Sequence, residues 1–268
     1  MDKVIGFIGS GNMAGAMIGG IVTSKLVSAD KVIASNPHEE KLNILKEKYG
    51  ISITTDNKEV ASKSDILFLS VKPVMYAKVI EEIKNLVKDD VIIVVIAAGK
   101  SINEVHNLFG KDVKIVKTMP NTPALVGEAM SAISPAENIT DKELDDIKAI
   151  FNSFGKCEVV AENLMDAVTG VSGSSPAYVY MFIEALADAA VLGGMKRDQA
   201  YKFAAQSVLG SAKMVLETGL HPGVLKDQVT SPAGTTIEAV AELERLGMRN
   251  AIISATTKCI EKSKAMSK

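Results

Sequence analysis

The segment Gly9-Ser10-Gly11-Asn12-Met13-Ala14 follows directly on an apolar run, Val4 to Ile8, and opens a stretch with helical periodicity. Glycine at the first position permits a tight turn out of a strand, and glycine at the third lets another group approach the main chain. Alanine at the sixth lets the new helix pack closely on the sheet. The free N–H groups and positive dipole end of that helix suit an anion such as a dinucleotide pyrophosphate, making Ile8 to Met13 candidate cofactor contacts. The motif alone also fits any tight strand-to-helix turn, so its context decides.

That context is an alternation. Lys31 to Ala34, Asp65 to Val71, Val91 to Ala97 and Lys114 to Thr118 read as further strands, separated by segments long enough for helices. The unbroken apolar run Val91 to Ile96 fits a strand covered on both faces, as in a parallel sheet. Thr140-Asp141-Lys142-Glu143 has capping-box spacing and opens a helix with Leu144, Ile147 and Ile150 on one face; Cys157 to Val160 reads as a short closing strand. The expected fold class is α/β, with a Rossmann-type doubly wound sheet over residues 1–161.

Beyond Glu162 strand signals stop. Ser175-Pro176 suits a helix start and Thr218-Gly219 a helix end, so residues 162–268 are expected to form an all-α helical bundle. These helices are apolar for so small a unit, which predicts that another copy of the chain covers them and makes this a dimerisation domain. Ala177 to Met195 is long enough to span a bilayer, yet carries Glu184 and Asp188, each costing about 2.5–3.5 kcal/mol at a membrane centre. It reads as a bundle or subunit-interface helix.

With 30 Lys+Arg against 32 Asp+Glu, the net charge of -2 gives no reason to expect nucleic acid or a membrane surface as partner. Cys157 and Cys259 are far apart and read as reduced thiols, and the N-terminus lacks signal-peptide character, so a cytoplasmic location is expected. His38, His106 and His221 are scattered, no GxSxG occurs, and no cluster has metal spacing, so no metal site is expected. Hydride transfer needs none of these, because its cofactor carries the difficult step.

The end of the second strand, where an acid would bind a ribose 2'-hydroxyl, reads Ser35-Asn36-Pro37-His38. With no carboxylate there, and with Ser35 and Asn36 as hydrogen-bond donors to a 2'-phosphate, NADP(H) is favoured, with NAD(H) as alternative. Ser70, Val71, Lys72 and Pro73 after the third expected strand, and Ala97-Ala98-Gly99 after the fourth, lie at the carboxyl edge where open sheets bind ligands. Asp227 to Thr236 forms a hydroxyl- and glycine-rich turn expected to open the last long helix. Free N–H groups of Gly234, Thr235 and Thr236 would cradle a carboxylate, and a threonine hydroxyl could bond a ring nitrogen; a simple helix cap by Ser231 or a threonine fits equally.

Together with Met119-Pro120-Asn121-Thr122-Pro123, Asp166 to Ser174, Pro176-Ala177-Tyr178 and Leu225 to Pro232, these segments resemble the 1-pyrroline-5-carboxylate reductase family over essentially the whole chain. The resemblance implies reduction of a small cyclic imino acid to proline by NAD(P)H, the last step of proline biosynthesis. It also implies a homodimer with interleaved C-terminal helices that assembles into a larger homo-oligomer. By position, Thr236 would hydrogen-bond the imine nitrogen as the catalytic residue, and Ser231, Gly234 and Thr235 would hold the carboxylate. Glu162 would lie near the substrate, Asn57 near the cofactor's adenosine, and Gln228 beside the cofactor. Ala233 and Ser175 stand where the family has glycine, and Ala233 would strain the loop if φ is positive there. The rival readings are a β-hydroxyacid dehydrogenase-like enzyme, for which Lys202 and Lys213 lack motif context, and a non-catalytic NADP-binding sensor.

Overall fold

The computed structural model describes residues 1–266; residues 267 and 268, within the expected second domain, lie outside the described residues. The chain divides into two compact units, one from Met1 to Ser174 joined by the segment from Cys259 onward, the other from Ser175 to Lys258.

The first unit is built on an eight-stranded sheet: β1 Ile5–Ile8, β2 Val32–Ser35, β3 Ser52–Thr54, β4 Ile66–Leu69, β5 Ile92–Val95, β6 Lys114–Met119, β7 Ala129–Pro135 and β8 Gly155–Val159. Their order is β3-β2-β1-β4-β5-β6-β7-β8. All neighbours are parallel except β6 and β7. The helices are α1 Asn12–Thr23, α2 Glu39–Tyr49, α3 Asn57–Lys63, α4 Tyr76–Ile83, α5 Ile102–Phe109, α6 Asp141–Asn152 and the single turn α7 Met165–Val168. The doubly wound sheet is as expected from the alternation of apolar runs.

Alternate side chains of the strands feed two separate cores. Ile5, Phe7, Phe68 and Val94 join residues of α1, α2 and α6 on one face, while Leu67, Leu69, Ile93 and Ile115 join α3, α4 and α5 on the other. Phe7 and Phe68 are register partners on β1 and β4, stacked with ring centroids 4.5 Å apart. Phe151 of α6 lies 6.1 Å from Phe68, adding an aromatic contact to the packing of the helix on the sheet. Thr140 and Glu143 form the expected capping box, with the Thr140 N–H donating to the Glu143 carboxylate at 3.0 Å.

Two strands were not anticipated. β3 is three residues long, and β7 begins Ala129-Met130-Ser131-Ala132, with only Ile133 in it favouring a strand. β7 runs antiparallel because the connection from Pro120 to Glu128 is too short for a crossover helix. The expected strands Asp65 to Val71 and Val91 to Ala97 are shorter in the fold, ending at Leu69 and Val95 where the chain leaves the sheet.

The second unit holds α8 Ser175–Leu192, α9 Arg197–Thr218, α10 Pro222–Gln228, α11 Thr235–Arg245 and the first half of α12 Met248–Met266. Gly219, with φ of 64°, ends α9 as expected. α8 starts at Ser175 with Pro176 in its first turn, as expected, and with the short turns before it Glu162 to Leu192 makes one long apolar run. A π-turn, Thr169–Gly173, precedes α8. Pro176 has no N–H for the carbonyl of Ser172, four residues back. The Asn121 side chain supplies the donor instead, with Nδ2 3.0 Å from that oxygen.

By length and composition this run could cross a membrane, and only 6% of its most apolar window is buried within the chain. Neighbouring faces are similarly open, with Met181 69% and Phe203 68% exposed.

Asp65 precedes β4 and accepts the Val4 N–H at 2.7 Å and the Lys88 ammonium at 2.6 Å. Burial opposes its ionisation, but Lys88 and the Val4 amide together outweigh this and hold the carboxyl below the usual range. A lowered folded-state pKa means the unfolded chain binds more protons in acid. The stabilisation is therefore complete above the ordinary carboxylate pKa and lost as pH falls through the folded value. Asp65→Asn is expected to lower stability at pH 7 and to flatten the acid limb of the pH–stability curve measured by circular dichroism. An unchanged limb would refute this role.

Candidate active site

Gly9 sits where the strand order reverses, between β1 and β4, at the carboxyl edge that opens a ligand crevice in such sheets. Its N–H donates to the Ser35 carbonyl at 2.9 Å, and the Ser70 N–H donates to the Ile8 carbonyl at 2.8 Å. Gly9 has φ of 99°, and a Cβ there would meet the Ser70 carbonyl oxygen at 2.5 Å, so no other residue fits. A Cβ on Gly11 would meet nothing within 4 Å, leaving the backbone open to approach. Gly11 caps α1 without a side-chain bond, and the first turn of the helix carries no acid, so its N–H groups remain directed at an anion.

Around this turn lies a cavity of about 520 Å³, into which the fold brings Gly9, Ser10, Gly11, Ser35, Asn36, Asn57, Ser70, Val71 and Lys72. The hydroxyls of Ser10 and Ser70 are buried and have no partner among the described residues. Two orphaned hydroxyls beside an uncapped helix start fit a dinucleotide, whose phosphate and ribose oxygens would satisfy them. Ile8 lies buried beneath the turn, and Asn12 lines an adjoining cavity with Ser10 and Gly11. Met13 packs on the core. Pro73 opens the turn Pro73–Met75.

The end of β2 differs from expectation in two respects. Ser35 is fully buried and its hydroxyl donates to Asn57 Oδ1 at 2.7 Å, so it orients Asn57 rather than serving as a free donor. A carboxylate does reach this cavity, from α4: Glu82 accepts from Asn57 Nδ2 at 3.1 Å. Lys41, Lys72 and Lys78 line the same cavity and outnumber it. Sequence reading missed Lys41 and Lys78 because they come from exposed helix positions in no motif. The signal that could have found them is their place in the helices that follow β2 and β4. Asn36 Oδ1 accepts the His38 N–H at 3.0 Å, which leaves its amide N–H₂ available as donor.

Ala97 and Ala98 lie on the loop after β5, outside this cavity. Ala97 is buried, and Ala98 packs on the cluster of Met119, Ala132 and Met165. Glu162 accepts the Ile102 N–H at 2.8 Å and stands 3.4 Å from the Nζ of Lys117, a lysine only 8% exposed in β6. It thus satisfies an orphan donor at the start of α5 and neutralises a buried charge.

In the second unit, the turn from Thr230 to Gly234 leads into α11, whose start has no side-chain cap. The simple cap by Ser231 or a threonine is therefore not formed. Of the three expected donors, the Gly234 N–H is already committed to the Ser231 carbonyl at 3.1 Å, which leaves those of Thr235 and Thr236. Gly234 is dictated by Ser231, whose Oγ lies 2.4 Å from where a Cβ would stand. The Ser231 hydroxyl is thereby brought close to the helix start. Gln228 is exposed at the end of α10.

Residues 162–266 match the family model described as pyrroline-5-carboxylate reductase dimerisation, and residues 4–99 match that described as NADP oxidoreductase, coenzyme F420-dependent. The pyrroline-5-carboxylate reductase of Escherichia coli (strain K12) is 52% identical over 268 residues, covering 100% of both chains. The chain belongs to the pyrroline-5-carboxylate reductase family. Solved structures agree: the reductase from Coxiella burnetii has a TM-score of 0.93 at 32% identity over 100% of both chains. That from Plasmodium falciparum with NADP bound has 0.90 at 31%, covering 100% of this chain and 99% of that one.

Among the family's glycine positions, the two departures behave differently. Ala233 has φ of 54°, one of two non-glycine residues with positive φ among those described, whereas Ser175 begins α8 without such strain. Left-handed backbone costs a non-glycine residue about 1 kcal/mol. Ala233→Gly is expected to raise the melting temperature by about 2–4 °C, and Ser175→Gly to lower it by about 1 °C or less, since glycine at a helix start costs only a few tenths of a kcal/mol. Calorimetry showing the opposite order would refute the assignment of strain.

Proposed function

We infer that this chain reduces 1-pyrroline-5-carboxylate to L-proline with NADPH, completing proline biosynthesis. The observation that carries the reading is full-length identity of 52% to a reductase of that name, joined to an uncapped helix start of the kind that holds a carboxylate.

The bound dinucleotide supplies the hydride. The chain's residues bind, align and hold. The Gly9 to Ala14 turn takes the pyrophosphate, with Ser10 and Ser70 bonding its oxygens, while Asn36, Lys41, Lys72 and Lys78 favour a 2'-phosphate. The N–H groups of Thr235 and Thr236 and the hydroxyl of Ser231 hold the substrate carboxylate. The Thr236 hydroxyl accepts the iminium N–H, fixing the ring so that C5 is presented to the nicotinamide. A protonated imine is already electrophilic, and its nitrogen keeps that proton in the product. No general acid is therefore required.

The partner is a second copy of the chain, with C-terminal helices interleaved and the dimers assembled further in the cytoplasm. The exposed apolar faces of α8 and α9 support this, as does the dimerisation model matched by residues 162–266. Sedimentation equilibrium should give a mass of at least two chains; a monomer would refute it.

The direct test is the fall in NADPH absorbance on adding the cyclic imine. No fall would leave a non-catalytic binder, and a fall only with a hydroxyacid's keto form would favour a dehydrogenase. Thr236→Ala is expected to lower kcat by about 10- to 100-fold, the worth of one aligned hydrogen bond, with KM for NADPH within about twofold of the original. Unaltered turnover would remove Thr236 from the mechanism.

A further inference from the structure

Helix α12 begins in the second unit, but its last two turns, from Cys259 on, belong to the first. Their contacts there are specific. Ser263 is 4% exposed and donates its hydroxyl to Asp166 Oδ1 at 2.6 Å. Cys259 Sγ lies 3.2 Å from Ser174 Oγ. The Met266 carbonyl oxygen stands 2.8 Å from where a Cβ on Gly99 would be, and Gly99 holds φ of 77°. The end of the helix therefore rests on the bare backbone of the loop after β5, at a position that only glycine fills.

That loop is backed from a second direction by the segment that carries Asp166. Ala98 packs on the cluster that contains Met165, and Glu162 takes the Ile102 N–H where the loop ends. The Ser263–Asp166 bond ties the two backing elements together. In a doubly wound sheet the adenosine half of a dinucleotide lies over the end of β2, and the other half lies over the strands beyond the switch point. The loop offers that half only alanine methyls and main chain. With no long side chain to adjust, its placement depends on what stands behind it, and a misplacement of about 1 Å at a reacting group can cost about a hundredfold in rate.

We propose that the last turns of α12 form a clamp that sets the Ala97-Ala98-Gly99 loop against the nicotinamide half of the cofactor, with Ser263 and Asp166 as positioning residues. The proposal rests on the reading of Ala97 and Ala98 as cofactor contacts.

The test compares the whole enzyme with Ser263→Ala, Asp166→Asn and the double variant. Steady-state kinetics with NADPH are read beside calorimetric binding of adenosine 2',5'-bisphosphate, which probes the adenosine half alone. Each single variant should lower kcat/KM for NADPH by about tenfold, the factor matching one hydrogen bond to a charged group. The double variant should lose little more, because the Ser263–Asp166 bond is common to both changes. Affinity for adenosine 2',5'-bisphosphate should stay within twofold.

Unchanged kinetics in both single variants would overturn the clamp. So would an equal weakening of adenosine 2',5'-bisphosphate binding, which would indicate general loosening of the unit. If the unaltered enzyme fails to bind adenosine 2',5'-bisphosphate, the cofactor reading itself falls and the clamp with it.

Discussion

Everything at the cofactor end of this protein depends on how β1 and β4 part company. Up to Ile8 and Leu69 the two strands are paired, and Phe7 stacks on Phe68 beneath. One residue later the main chains still touch: the Ser70 N–H reaches Ile8 and the Gly9 Cα lies against the Ser70 carbonyl. The chain from β1 must then turn into α1 while that from β4 turns away. The crevice opens because neighbouring strands send their helices to opposite faces, and the turn is so tight that the backbone supplies the ligand groups. The orphaned Ser10 and Ser70 hydroxyls follow from the same geometry, buried by the close approach yet turned toward the opening.

A second constraint comes from Pro176. A proline in the first turn of a helix fits its backbone, but it offers no N–H to the carbonyl four residues back, that of Ser172. That carbonyl accepts instead from Asn121 Nδ2, while Asn121 Oδ1 accepts the Met130 N–H at 3.0 Å. One buried amide thus joins the end of β6, the start of β7 and the helical run. This accounts for an asparagine in the Met119-Pro120-Asn121 turn, where a loop of this kind would otherwise need only a turn former.

The parts of this architecture that could be read from the sequence are those set by local rules. The glycine turn, the capping box at Thr140, the buried strands and the helix end at Gly219 each follow from residues within a few positions of one another. What could not be read depends on partners distant in the chain. Ser35 looked like a phosphate donor until Asn57, more than twenty positions on, took its hydroxyl. Lys41, Lys78 and Glu82 entered the cavity from helices whose facing is a tertiary property. Gly234 looked like a free donor, but the turn closes on itself through Ser231. β7 escaped notice because burial between β6 and β8 holds it in place, and Ile133 alone among its residues favours a strand.

The glycines explain which departures from the family pattern are tolerable. At Gly9 and Gly99 two restrictions coincide: φ is positive and a backbone oxygen occupies the site of a Cβ. Neither oxygen can move without displacing a strand end or a helix end, so substitution there alters the fold. At Ala233 only the first restriction applies, because the residue is exposed and its methyl meets solvent. The cost is then torsional, about 1 kcal/mol, which a cooperative fold absorbs. The strain falls one residue before Gly234, at a helix start that no side chain caps.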